Sequence, residues 1–205
     1  VNPIRFRVLF VLSALSVLLS TSSCLLPSSS VKPATDDALM ALYRHDQIRP
    51  LVVEYYAQLT KDRSVALAIL ETCDDLNIDP SLGFALAWNE SRFNPQAVNR
   101  NPGSLDRGLF QLNTRTFSKL DRKTVFDPKA NARHGLTYYK MAYDRLGSEA
   151  KALGYYNAGI GLLTERALPK STQAYIKRIL ADRERMDRDA IAWIYFSHDT
   201  RLALR

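Results

Sequence analysis

The chain has 205 residues, 46% of them hydrophobic and 24% charged, with a formal net charge of +7. That balance fits one folded domain, or one domain with extensions, and excludes a disordered or collagen-like chain. The basic excess is mild, and no zinc-finger spacing, RNA-binding strand motif or lysine-rich tract accompanies it, so nucleic acid is not an expected partner.

The chain opens on a short basic segment with Arg5 and Arg7, followed by an apolar stretch from Val8 to Leu19, the small residues Thr21, Ser22 and Ser23, and Cys24. This is a secretory signal pattern, and its apolar part is too short for a comfortable membrane span. The run Leu19-Ser20-Thr21-Ser22-Ser23-Cys24 resembles the cleavage box of bacterial lipoproteins, with Thr21 where Leu is usual. That resemblance implies cutting before Cys24, lipid on its thiol, and anchoring to the periplasmic face of a membrane, the outer one by the reading of Leu25. Removing Arg5 and Arg7 leaves 26 basic against 21 acidic residues, a formal +5 that favours anionic partners. The expected organisation is a signal over 1–23, a tether over 24–35, a helical extension over 36–76, a catalytic domain over 77–186 and a C-terminal extension over 187–205.

Leu25 to Thr35 is rich in Ser and Pro and reads as the tether. Asp36 and Asp37 can cap a helix from Ala38 to Arg44, and Leu51 to Leu59 forms a second after Pro50. Asp62 or Ser64 opens a third, ending near Leu76. Val65, Ile69 and Cys73 recur at four-residue spacing within it, which makes Cys73 a buried small hydrophobe. Asp79-Pro80 is a cap followed by Pro at the first helical position, and Pro95 ends the pattern it begins. Asn99 to Asp106 is a loop, and a short hairpin can form between Asn99 and Asn113. Thr114 to Leu120 is expected as a short helix. Asp127-Pro128 opens a long helix that Gly147 stops. Glu149 to Tyr156 is short and helical, ending near Gly159 and Gly161. The last strong helix runs from Pro169 to about Met186, and the aromatic patch Trp193, Tyr195 and Phe196 reads as a terminal helix packed back on the domain. The class is mainly α. His45, His134 and His198 form no metal-ligand cluster, and Gly159-Ile160-Gly161 lacks the context of a nucleotide loop, so neither a metal nor a cofactor is expected.

Glu90 stands out. It lies near the C-terminal end of an apolar helix, where the helix dipole disfavours negative charge. Trp88, Phe93 and Phe110 can supply a low-polarity wall, and both effects raise a carboxyl pKa as a general acid requires. No partner carboxylate lies beside it. Asp106 is the one residue that can approach from the loop, either to hold a water opposite Glu90 or simply to cap the loop.

Four ordered blocks surround this glutamate. They are Glu90-Ser91-Arg92-Phe93-Asn94-Pro95-Gln96-Ala97-Val98; Gly108-Leu109-Phe110-Gln111-Leu112; Asp127-Pro128 with Asn131 and Gly135; and Tyr156-Asn157-Ala158-Gly159 followed by Pro169 and Tyr175. Through them the stretch from about Asp79 to Leu180 resembles the catalytic domain of the soluble-type lytic transglycosylases, related in fold to goose-type lysozyme. The resemblance implies a mainly α, lysozyme-like fold with an N-terminal helical extension, and peptidoglycan glycan strands as substrate. It implies that Glu90 is the acid/base for the bond between N-acetylmuramic acid and N-acetylglucosamine, with the muramoyl 6-hydroxyl attacking its own C1 to give a 1,6-anhydro end. Ser91 would orient Glu90 or make a helix-end contact. Gln111 would touch substrate or shape the cleft, and Phe110, in place of the common Met, would keep an apolar wall. The Tyr156 hydroxyl would hold Glu90 or sit in the core. Asn157 belongs to the same block, and Tyr175 fits a later cleft tyrosine. A hydrolytic muramidase and a non-catalytic wall-binding lipoprotein stay open as alternatives.

Overall fold

The structure is a computed structural model that describes residues 35–159 and 168–203. The expected signal, Cys24, the tether up to residue 34, and Gly161 lie outside those residues. The described residues form eight helices and a three-stranded antiparallel sheet, so the chain is mainly α as its patterning predicts. In chain order these are α1 (Thr35–Arg44), α2 (Arg49–Thr60), α3 (Arg63–Leu76), α4 (Pro80–Ser91), β1 (Val98–Asn101), β2 (Ser104–Arg107), β3 (Leu112–Asn113), α5 (Arg122–Phe126), α6 (Pro128–Leu146), α7 (Glu149–Ala158) and α8 (Lys170–Ala203).

Local chemistry sets most of these boundaries. The Asp62 carboxylate accepts from the Ser64 amide at 2.8 Å, the Asp79 carboxylate from Ser81 at 2.8 Å, and the Asp127 carboxylate from Ala130 at 2.7 Å. Each satisfies a first-turn N–H that has no partner inside its helix. Gly147, with φ +63°, closes α6 in the left-handed region open to glycine. Two expectations of helix position need correction here. The segment from Thr114 to Leu120 is a run of turns rather than a helix, because Asn113 accepts from both Thr116 (3.1 Å) and Phe117 (2.8 Å) and no ladder continues from there. The short helix of this region comes later, as α5, capped by Asp121 on the Thr124 amide at 2.7 Å. Helix α1 starts at Thr35, so Asp36 and Asp37 lie inside it rather than before it.

Helix α4 is the centre of the molecule. Every residue from Pro80 to Ala87 is buried, so this helix is apolar all round rather than on one stripe. The Phe84 ring stacks on Tyr56 of α2 with centroids 3.7 Å apart. Gly83 lets α3 approach, since a Cβ there would lie 2.5 Å from the Cys73 sulfur. Cys73 is fully buried, and burial pushes its thiol well above the ordinary range, as suits a packing residue rather than a nucleophile.

The segments on either side of the apolar centre share its core. Leu39, Leu51, Val52 and Tyr56 cluster with Leu136, Leu153 and Ile179. Helix α8 runs unbroken through Met186 instead of ending there, and its terminal part packs on the domain through Trp193 and Ile194 while Tyr195 and Phe196 stay exposed. Met186, Ala190 and Ile194 bury one stripe at four-residue spacing, and Trp193 meets Tyr55 at 5.8 Å. The dense charge of Arg183 to Arg188 is carried largely on α8's outer side, with Arg185 bonded to Asp182 at 2.9 Å. Arg183 is the exception. Its guanidinium bonds Asp79 and Glu149, each at 2.6 Å, and so ties the starts of α4 and α7 to the middle of α8. Burial still pushes the Asp79 carboxyl up to about 6 against the pull of Arg183. Burial and ion pairing thus oppose each other at Asp79. These three helices carry Glu90, Tyr156 and Tyr175.

Candidate active site

Glu90 sits in the last turn of α4. The helix ends because Arg92 (φ +55°) and Phe93 (φ +64°) both take left-handed backbone conformations, unusual for consecutive non-glycine residues. Arg92 is held there by its amide bond to the Trp88 carbonyl at 3.1 Å and by its guanidinium lying 4.4 Å from the Trp88 ring centre. The chain then swings into the sheet and returns across the end of the helix.

A cleft of about 460 Å³ opens at this point, lined by Glu90 from α4, Asp106 from the sheet, and Tyr156 and Asn157 from α7. Part of the Glu90 side chain reaches the cleft, while protein surrounds most of it. Burial pushes its carboxyl up to about 7, and the negative charge of Asp106 pushes the same way. The Tyr175 hydroxyl donates to Glu90 Oε1 and acts in the opposite direction by favouring the ionised form. A carboxyl balanced near neutral pH can give a proton and take one back, which is what a single acid/base must do.

The structure sorts the other candidates. Tyr175, expected only as a cleft tyrosine, is the residue that holds Glu90. Tyr156 instead donates to the Phe110 carbonyl at 2.7 Å, so the expectation that its hydroxyl holds Glu90 is corrected. Its ring still lines the cleft. Ser91 likewise points away from the acid: its hydroxyl donates to Leu109 O at 2.7 Å and Ala87 O at 3.3 Å. It pins the turn between β2 and β3 to the end of α4. Phe110 is completely buried beneath the cleft and does not form its wall, a second correction. Gly135 makes room for it, since a Cβ there would fall 2.5 Å from the Phe110 Cβ. Gln111 adopts φ +47° and donates its amide to Gly108 O at 2.9 Å and Ala97 O at 3.2 Å, thereby shaping the cleft rim. Asn157 accepts from the Thr172 hydroxyl at 3.0 Å and connects α7 to the start of α8.

One buried side chain supports the whole turn. Asn131 of α6 accepts from the Phe110 amide at 2.7 Å and donates to Val125 O at 2.6 Å and Arg107 O at 3.1 Å. Gly108 is required beside it, because its φ is +79° and a Cβ would lie 2.1 Å from the Asn131 nitrogen.

Sequence reasoning missed several residues that line the cleft, among them Asn101, Asn113, Arg115 and Tyr138. For the sheet residues a signal existed: Ser104 and Asp106 are two apart on one strand, and such residues share a face. Asp106 itself does reach the cleft. Among the described residues no group of His, Cys, Asp or Glu is arranged to hold a metal ion.

The family model described as Transglycosylase SLT domain matches residues 68–179, more than half of the chain. The chain is 35% identical over 92 residues to an X polypeptide of Escherichia coli, an alignment covering 42% of this chain and 54% of that protein. The X polypeptide of Escherichia coli strain K12 aligns with the same identity and coverage. The chain thus spans about half the length of the curated relatives it matches.

Proposed function

The chain belongs to the Transglycosylase SLT domain family, and from that premise we propose that it is a lytic transglycosylase that cuts the glycan strands of peptidoglycan. The observation that carries this reading is Glu90, a carboxyl with a pKa near 7 set in the cleft and hydrogen-bonded by Tyr175. Protonated Glu90 gives its proton to the oxygen bridging N-acetylmuramic acid and N-acetylglucosamine as the C1–O bond breaks. The resulting carboxylate then takes the proton of the muramoyl 6-hydroxyl, whose oxygen closes on C1. The product is a 1,6-anhydromuramoyl end, and no water is consumed. Most glycosidases that use water employ two carboxyl groups with distinct tasks. Here the sugar supplies the nucleophile.

Digestion of purified peptidoglycan, followed by mass spectrometry of the muramoyl ends, tests this. Anhydro ends are expected. Reducing ends would establish hydrolysis instead, a reading that the presence of Asp106 in the cleft favours. Intact glycan after incubation with folded protein would point to a wall-binding scaffold.

The Tyr175→Phe protein isolates the hydrogen bond. That bond favours ionised Glu90, so its loss raises the Glu90 pKa, and the alkaline fall of activity shifts to higher pH. Activity at pH 6 drops roughly tenfold because the carboxyl is no longer aimed. A pH–rate profile of both proteins reads the two effects separately.

For location, we propose export and lipid anchoring through Cys24, with residues 24–35 as the tether, 77–186 as the catalytic region, and 36–76 and 187–205 as extensions that complete its core. The support is the signal pattern in the sequence. Among the described residues no helix is long and apolar enough to cross a membrane. In cell fractionation, Cys24→Ser is expected to move the protein from the membrane to the soluble fraction, and unchanged membrane association would reject the anchor.

A further inference from the structure

Resting on the glycan-cleaving reading above, we propose that Asn89 and Asp182 are positioning residues: their hydrogen bond sets the register of α8 on α4, and through it the aim of the Tyr175 hydroxyl at Glu90.

The buried stripe of α8 has one irregularity. Thr172, Tyr175, Ile179, Met186, Ala190 and Ile194 are all buried and recur at three- or four-residue steps, except for a gap between Ile179 and Met186. The position that the spacing skips is Asp182. An ionisable side chain thus stands in an otherwise buried seam, with 24% of its surface exposed. Its Oδ2 accepts from the Asn89 amide at 2.9 Å, and its Oδ1 from the Arg185 guanidinium at 2.9 Å. The Asn89 amide also donates to the Ala85 carbonyl at 2.9 Å, one turn back on its own helix, which fixes the direction of the carboxamide.

The placement links this pair to the acid. Asp182 follows Tyr175 by seven residues, which is two turns of helix, so both project from the same side of α8, about 10 Å apart along its axis. Their partners, Asn89 and Glu90, are consecutive in the last turn of α4. One face of α8 therefore grips the end of α4 at two points. Arg183 holds Asp79, at the opposite end of α4, and so does not fix the end that carries Glu90.

Apolar side chains give a non-directional contact that tolerates a small slide of one helix along another. A polar pair in the seam does not, because only one register joins its two members. The Tyr175 hydroxyl needs that precision, since a displacement of about 1 Å can cost roughly 100-fold in rate. Asn89 and Asp182 act through Tyr175 and touch no reacting atom.

The test compares Asn89→Ala, Asp182→Ala and Asp182→Asn, each alone and combined with Tyr175→Phe, in cleavage of a soluble glycan fragment. Asn89→Ala and Asp182→Ala are each expected to lower kcat about fivefold with KM changed less than twofold. Both should move the alkaline limb of the rate profile to higher pH, because Glu90 loses the bond that favours its ionised form. The titratable groups that face Glu90 are Asp106 from β2, Tyr156 from α7 and Tyr175 from α8, and these single variants leave all three in place. The direction is diagnostic for Asp182→Ala, since removing a negative charge that acted directly on Glu90 would move the limb the other way. Asp182→Asn, whose amide oxygen can still accept from Asn89, is expected to keep at least about half of the kcat. In the Tyr175→Phe background the further loss from either Ala variant is expected to be less than about twofold, because the bond they aim is already gone.

Losses that multiply in that background would overturn the proposal, and so would an alkaline limb that stays in place. Urea midpoints show whether each variant is folded, and Asn89→Ser carries the same expectation should Asn89→Ala fail to fold. Titration of the Glu90 carboxyl by carbon NMR gives a readout that needs no cleavage. If the unsubstituted protein cuts no glycan, the lytic reading falls, and a Glu90 titration unmoved by Asn89→Ala would overturn the positioning role separately.

Discussion

Glu90→Gln is expected to reduce peptidoglycan cleavage by about 1,000-fold, the middle of the range a positioned acid/base supplies. The amide has nearly the same shape and can still accept from the Tyr175 hydroxyl, so the loss reports proton transfer and not a collapsed cleft. The same variant carries an effect on stability with a definite sign. The Glu90 carboxyl is raised from 4.5 to about 7 in the folded protein, chiefly by burial. A carboxyl shifted upward favours the folded state when it is neutral. That contribution is complete below pH 4.5 and is lost as pH rises through about 7. That rise corresponds to about 3 kcal/mol across the window. Urea denaturation of both proteins at pH 4.5 and pH 8 should show the Gln protein gaining relative to the original by about that amount at the higher pH. Equal pH dependence in the two would mean that Glu90 is not held near neutral pH. The active group is thus a burden on the fold at neutral pH, a familiar trade between stability and activity.

The second large effect lies outside the cleft. Asn131→Ala is expected to cost about 3 kcal/mol in urea denaturation, because it strands the Phe110 amide and the Val125 and Arg107 carbonyls in the interior. Asn131→Asp should be no better, since it sets a carboxylate against two carbonyls. Both should lose activity at temperatures where they remain folded, because the turn from Gly108 to Gln111 shapes one side of the cleft. A variant that unfolds at the original denaturant midpoint would remove Asn131 from this role.

What could be read from the sequence divides by distance along the chain. Asp62, Asp79 and Asp127 announce their helices because a cap and its partner amide are two or three residues apart. Glu90 could be singled out because helix position and apolar neighbours are also local. The pairing of Tyr175 with Glu90 spans 85 residues. Nothing in the order of the residues says which of two tyrosines reaches the acid, and the one adjacent in the motif proved to serve Phe110 instead. Phe110 misled for a related reason: an aromatic next to polar cleft residues reads as a wall, but Gly135 opens a hole beneath it that only the packing of α6 reveals. The full length of α8 was hidden by its charge. Arg183 to Arg188 looks like the end of a domain until Asp182 and Asp189 are seen a turn away on the same helix. The third strand, only two residues long, carries no alternation to detect.

The unbroken run of α8 bears on how this protein can be taken apart or recombined. The family match begins at residue 68 and stops at residue 179, yet the first falls inside α3 and the second inside α8. A crossover at either point would cut a helix mid-span and leave Tyr56, Met186 and Ile194 without the neighbours that cover them. The portion that carries the family's sequence signature is therefore smaller than the portion that can be transplanted. For shuffling or grafting, a cassette spanning Thr35–Ala203 keeps every described helix whole.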